Sequence, residues 1–99
     1  MRGDVYLATA GTKTRPVVEV SEPELDRPLV AHLTTVERDL PTHVAVADLA
    51  AAGVDRTCWI NTHAIEPIDR NQLGRRIGQI DDVTMWALCA AFAIATGCD

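Results

Sequence analysis

The stretch RRIGQIDDVTMWALCAAFAIATG, residues 75–97, contains the change of pattern on which the fold turns. Its first part, RRIGQI (Arg75 to Ile80), reads as a strand that follows a turn or short helix at DRNQL. Asp81 then supplies a helix N-cap with a second acid behind it, where negative charge suits the exposed N–H groups and the helix dipole. VTMWALCAAFAIAT runs on without a breaker to Gly97, a natural stop, so one C-terminal helix is expected. With Met85 as reference and ~100° per residue, Leu88, Phe92, Ala95 and Thr96 fall on one face, which must be the side packed on the sheet. The opposite face presents Val83, Trp86, Ala90, Ala93 and Ile94, and no charge stands between Asp82 and Asp99. A helix apolar all round is normally covered all round, and one sheet covers one face. Trp86, Ala90 and Ala93 are therefore predicted to lie against another chain; helix propensity accounts for the alanines but not for Trp86 and Ile94.

Upstream of this stretch, short strand-like runs alternate with turn residues. DVYLA (Asp4 to Ala8) is followed by a turn at Gly11 and by PVVEV (Pro16 to Val20), and PLVAHLTT (Pro28 to Thr35) follows the link SEPELDR. THVAV (Thr42 to Val46) and TCWIN (Thr57 to Asn61) flank an alanine-rich link ending at Gly53. Many short strands at close spacing imply a small, strongly bent sheet or barrel with the helix laid on it. No repeat, linker or low-complexity segment interrupts residues 1–99, so one domain is expected.

A chain of 99 residues builds a single core but is too small to enclose a large cofactor, so its partners must meet its surface. The net charge of −5, with Lys13 the single lysine among nine basic residues, excludes non-specific adhesion to DNA or anionic lipid and makes any nucleic-acid contact local and arginine-based. Three scattered cysteines, Cys58, Cys89 and Cys98, fit small buried hydrophobes in a reducing compartment better than a disulfide framework. The longest uncharged run, Val83 to Cys98, is shorter than the roughly 20 residues that span a bilayer, and the N-terminus has no signal-peptide core. A cytoplasmic, membrane-free protein is expected.

Arg15 stands directly before Pro16, which pushes it toward an extended conformation at the mouth of a strand, so its guanidinium rides on a fixed stem. In VAHLTT, alternation puts Val30, His32 and Thr34 on one face and Ala31, Leu33 and Thr35 on the other. If consecutive strands pair, Arg15, His32 and Thr34 converge on one anion, a set suited to a phosphodiester: a charge to neutralise, a hydroxyl to donate, an imidazole to move protons. Against this stand plainer readings, an Arg15 ion pair with Glu19 or Asp26 and an ordinary polar pair at His32 and Thr34. The spacings among His32, His43, His63 and Cys58 match no zinc pattern, and AGTKT lacks the glycine spacing of a phosphate loop.

In order and spacing, RGDVYLA, RPVVEV, LVAHLTT, LPTHVAV and IEPIDRNQLGRRIGQIDDVTM, closing on ATG, resemble the MazF/PemK family of toxin–antitoxin ribonucleases along nearly the whole chain. The resemblance implies a compact SH3-like, partly open β-barrel with a C-terminal helix, acting as a homodimer. It implies cleavage of single-stranded RNA at specific sequences without metal or cofactor, the 2′-hydroxyl attacking phosphorus to leave a cyclic phosphate and a 5′-hydroxyl. It maps the catalytic pair onto Arg15 and Thr34; beside that pair, and not supplied by the resemblance, Lys13, Thr14, His32, Thr35 and His63 stand as auxiliary or RNA-binding candidates. It also implies a cognate antitoxin, so the Trp86 face is expected to meet either that partner or the second subunit. Two departures stand out. The loop before RPV is several residues shorter than the family's, and His63 and Ala64 replace the usual acidic residue and glutamine, which leaves His63 or His32 as the candidate proton carrier. A non-catalytic, CcdB-like poison that binds a topoisomerase is the alternative on the same fold. That branch uses a tryptophan near its C-terminal end, whereas this sequence finishes ATGCD with its last tryptophan at Trp86.

Overall fold

The structure, a computed structural model, describes residues 2–10, 12–22 and 26–98. The turn expected at Gly11 and the Pro23 to Leu25 part of the SEPELDR link lie outside the described residues. Strand β1 (Asp4–Ala10) and β2 (Lys13–Glu19) form an antiparallel hairpin running from Val5 opposite Val18 to Ala10 opposite Lys13. They are followed by β3 (Leu29–Thr34), β4 (His43–Ala45), a single helical turn α1 (Leu49–Ala52), β5 (Trp59–Pro67), a 3-10 turn (Arg70–Gln72), β6 (Leu73–Gln79) and helix α2 (Asp82–Thr96). The six strands make one antiparallel sheet in the order β4-β5-β3-β2-β1-β6, with β4 and β6 at its edges. The mainly β architecture with a C-terminal helix is as the sequence predicts; the sheet is not closed by hydrogen bonds.

A proline in a central strand needs an explanation, because it cannot donate to a ladder. Pro16 pairs with Leu7 of β1, while the described β2–β3 ladder begins only at Val17. The missing N–H thus falls where β2 has already parted from β3, and that parting opens the cavity described below.

The sheet buries residues on both faces. Val5, Val18, Ala31, Leu33, Val44 and Ile60 form the main core with Ala52 of α1 and Leu88 and Ala91 of α2, while Ala8, Val17, Val30 and Ile68 gather on the other side with Tyr6 and Leu73. α1 lies against edge strand β6. Gly53 caps α1 with φ of 76°, and a Cβ there would collide with the backbone of Ile77, so glycine meets both demands.

Three expectations are corrected. The alanine-rich link contains α1, capped by Asp48, whose carboxylate accepts from Ala51 N at 3.0 Å; four residues are too few to display a helical period. The strand expected to end at Asn61 runs on to Pro67 across a bulge, since His32 pairs with Asn61 but Ala31 with Ile65. Within the bulge Thr62 is drawn to the Thr42 carbonyl (N at 3.0 Å, hydroxyl at 2.7 Å), so its polar groups find partners away from β3. On α2 the packed face holds Thr84, Leu88 and Ala91, with Met85, Ala87 and Phe92 beside them, while Ala95 and Thr96 are exposed. The rotation follows from Thr84, whose hydroxyl donates to Asp81 at 2.5 Å and accepts from Ala47 N at 2.9 Å, pinning the first turn to the loop before α1. That bond also holds the Asp81 carboxyl below its ordinary value. Trp86 is 78 %, Val83 70 % and Ile94 51 % exposed; Ala90 is exposed and Ala93 half-buried. Among the described residues no helix is long and apolar enough to cross a membrane.

Candidate functional site

Where β2 and β3 separate, a cavity of about 590 Å³ opens against β1, β6 and the loop after α1. Its floor is apolar, with Leu33, Val54, Cys58 and Ile77, and its polar lining is Arg15, Thr34, Thr35, Asp55, Arg56 and Arg75. Burial pushes the Cys58 thiol up, so it stays protonated and serves as floor rather than nucleophile.

Arg15 and Thr34 reach the cavity by strand register. The β2–β3 ladder ends with Val17 opposite His32; two residues beyond that pair on each strand, on the same face by alternation, Arg15 and Thr34 line the cavity where the strands have parted. The Thr34 oxygen accepts from Val36 N at 3.1 Å, which occupies an acceptor position and leaves the hydroxyl proton available to a ligand. The plain reading of Arg15 as an ion pair with Glu19 or Asp26 fails. Glu19 is fully buried and lies 3.5 Å from Arg70, and no carboxylate of the described residues is within 4.0 Å of Arg15.

Thr35 joins Arg15 and Thr34 on the cavity lining, whereas the other auxiliary candidates lie elsewhere. Lys13 and Thr14 are exposed on β2 opposite Ala10 and Thr9. His63 is exposed in the β5 bulge, its N–H donated to Asn61 Oδ1 at 2.9 Å. His32 shares a strand with Thr34, but its Nε2 is 3.5 Å from Glu66 and it does not line the cavity, so the expected convergence of three residues reduces to Arg15 and Thr34. The bulge in β5 is the reason: it returns Glu66 to the β3 ladder opposite Val30, within reach of His32.

Three polar lining residues escape the sequence reading. Asp55 and Arg56 come from the loop after α1, with Arg56 Nε 3.8 Å from Asp55 Oδ1 and both side chains mostly exposed. Arg75 comes from β6, where alternation separates it from Arg76: Arg76 Nε lies 3.0 Å from Asp4 Oδ1, while Arg75 lines the cavity. The adjacent arginines in RRIGQI carry that signal, since neighbours on a strand serve opposite faces. Asp55 is the single carboxylate on the lining. Among the described residues no three His, Cys, Asp or Glu side chains gather where they would hold a metal ion.

The cavity therefore offers fixed positive charge, a hydroxyl donor and one carboxylate, an arrangement that binds an anion and can move a proton beside it. Comparison with known proteins reaches a compatible result. The chain is 33% identical to the probable endoribonuclease MazF5 of Mycobacterium tuberculosis, over 98% of this chain and 93% of that one. Endoribonuclease MazF1 of Mycobacterium bovis is 30% identical, over 98% and 92%. Among solved structures, a mycobacterial endoribonuclease in complex with its cognate antitoxin superposes with a TM-score of 0.86 at 28% identity, covering 100% of this chain and 96% of that one. The Mycobacterium tuberculosis toxin MazF-mt6 gives 0.85 at 29% identity, with 97% and 98% covered. Likeness in fold and in sequence thus runs along the same residues, and with the family model matching 1–96 the chain belongs to the PemK-like, MazF-like toxins of type II toxin–antitoxin systems.

Proposed function

We propose that this protein is the toxin of a type II toxin–antitoxin pair and an endoribonuclease that cuts single-stranded RNA at the Arg15–Thr34 cavity. The observation that carries the reading is a guanidinium with no carboxylate partner among the described residues, sharing a cavity with a hydroxyl whose proton is available. The ribose 2′-oxygen gives up its proton and bonds to the adjacent phosphorus. The bond from phosphorus to the 5′-oxygen breaks with its electron pair, and that oxygen takes a proton from water. A 2′,3′-cyclic phosphate and a 5′-hydroxyl result. Arg15 neutralises the charge that grows on the phosphoryl oxygens, and Thr34 donates a hydrogen bond to one of them. Arginine is a poor base, and neither His32 nor His63 lines the cavity, so Asp55 is the proton acceptor best placed for the first step. No metal or cofactor enters this scheme.

The same reading makes residues 1–99 one toxin domain of SH3-like, partly open barrel form. It makes the protein cytoplasmic and homodimeric, held in check by a cognate antitoxin. The apolar outer face of α2, with Trp86, Ala90 and Ala93, is assigned to the second subunit or to the antitoxin. Trp86→Glu should leave the purified toxin monomeric or poorly neutralised, and a variant that dimerises and is neutralised normally removes that assignment. The nuclease reading is tested by incubating the protein with a long RNA in chelator: discrete fragments ending in cyclic phosphate are expected, and intact RNA overturns it.

A further inference from the structure

The distribution of arginine partners singles out a second residue of the cavity. Among the described residues five of the eight arginines are ion-paired: Arg2 with Glu22, Arg27 with Asp69, Arg56 with Asp55, Arg70 with Glu19 and Arg76 with Asp4. Among the described residues Arg15, Arg38 and Arg75 have no such partner, and two of these three line the same cavity. In a protein with fourteen carboxylates and nine basic side chains, unpaired guanidiniums are against the odds of composition. With Arg56 added and Asp55 subtracted, the lining carries a local excess of two positive charges on a chain whose net charge is −5. A concave wall of that sign concentrates field on an anion inside it.

Arg75 is also mounted rather than loose. Gly74 sits so close to β1 that a Cβ there would lie 2.6 Å from the Leu7 carbonyl oxygen, and the β1–β6 register shifts between Tyr6, opposite Arg76, and Ala8, opposite Leu73. Such a bulge re-aims the side chain beside it. β1 pairs with Arg15 of β2 on one side and with β6 on the other. The stems of Arg15 and Arg75 therefore stand two strand spacings apart, roughly 10 Å. One phosphate seated between Arg15 and Thr34 leaves Arg75 free for another.

We infer that Arg75 binds the phosphate flanking the scissile one, so that RNA lies across β1 with successive phosphates on Arg15 and Arg75. The inference rests on the nuclease reading above and names a contact that reading does not need. Its test is the binding of a random-sequence 2′-O-methyl oligoribonucleotide, which lacks the attacking hydroxyl and cannot be cut, measured by fluorescence anisotropy over a range of salt. Arg75→Ala should weaken binding about tenfold at low salt and reduce the slope of log affinity against log salt by about 0.7, the share of one phosphate contact on a single strand. Arg75→Lys keeps the charge and should keep the slope. Arg38→Ala, which removes an unpaired arginine outside the cavity, should change neither. Should Arg75→Ala fail to fold, Arg75→Gln replaces it with the same expected losses. Native affinity and slope in the Arg75 variant, or equal losses in Arg38→Ala, overturn the inference. Cleavage by the wild type alongside undiminished binding by the Arg75 variant overturns this assignment alone, whereas absence of cleavage by the wild type overturns the nuclease reading and the flanking role with it.

Discussion

The two ends of the β6–β1–β2 strand trio handle charge in opposite ways. At one end Asp4 and Glu19 are buried, 6 % and 0 % exposed, and each is met by an arginine, Arg76 Nε at 3.0 Å and Arg70 at 3.5 Å. At the other end Arg15 and Arg75 meet no carboxylate among the described residues and line an open cavity. A buried carboxylate left alone would cost several kcal/mol, so the closed end must be neutralised for the fold to stand. An exposed guanidinium costs little while solvated, so the open end can keep its charge for a ligand. Charges at the closed end hold the sheet together, and charges at the open end are available for chemistry.

The sharpest way to break this contrast is to remove one side chain from each end. Arg15→Ala should lower RNA cleavage about a hundredfold, the equivalent of ~3 kcal/mol of transition-state stabilisation, with no change in melting temperature. Thr34→Ala should lose cleavage to a comparable extent, again with the fold intact. Cleavage by either variant at the wild-type rate would remove that residue from the site. Arg70→Ala, at the closed end, should cost roughly 3 kcal/mol in urea unfolding by leaving the buried Glu19 short of its counter-charge. An Arg70→Ala protein as stable as the wild type would show that this end is not a structural clasp.

The adjacent pair Arg75 and Arg76 gives a finer test, because one strand position separates the two roles. Arg76→Ala leaves the buried Asp4 short of a donor and should cost about 1–2 kcal/mol of stability. Arg75→Ala should stay within about 0.5 kcal/mol of the wild type in stability, as surface changes do, while losing RNA affinity. Reversed outcomes, with Arg75→Ala the less stable variant, would mean that the two ends are not divided in this way.

The smallest effect is one of pH. Burial pushes the Asp4 carboxyl up, but hydrogen bonding and positive charge, Arg76's among them, hold it below its ordinary value of 3.8. A carboxyl depressed by folding stabilises the native state above its unfolded value, and that contribution is lost as pH falls through the folded value. Stability should therefore decline below about pH 4, and Asp4→Asn should flatten part of that decline. An acid limb identical in the two proteins would take Asp4 out of the account. Asp81, lowered by its bond from Thr84, adds to the same limb from the start of α2 and is unaffected by Asp4→Asn.

Local rules decided what was legible beforehand. β-branched runs set the strands, and Asp81 and Gly97 mark the ends of α2 because capping is chemistry between near neighbours. Arg15 and Thr34 stand out in the sequence for a similar reason: a proline fixes one stem, alternation sets the face of the other, and the family resemblance picks out both. The sequence shows α1 only as a link because one turn displays no period, although its caps Asp48 and Gly53 are both present in DLAAAG.

The sequence by itself determined the order of elements, the helix and its caps, the acidic balance and the arginine mounted before Pro16, since each follows from interactions within a few residues. Tertiary structure alone decided where β5 bulges, because Thr62 turns to the carbonyl of Thr42, just before β4. It decided that His32 faces Glu66 while Thr34 lines the cavity, because the bulge fixes which residue returns to the ladder. It also decided that Asp55, Arg56 and Arg75 share a wall with Arg15. Those meetings depend on the bend of the sheet and the position of α1 against β6, and a charge is free or paired only once every possible partner has been placed in space.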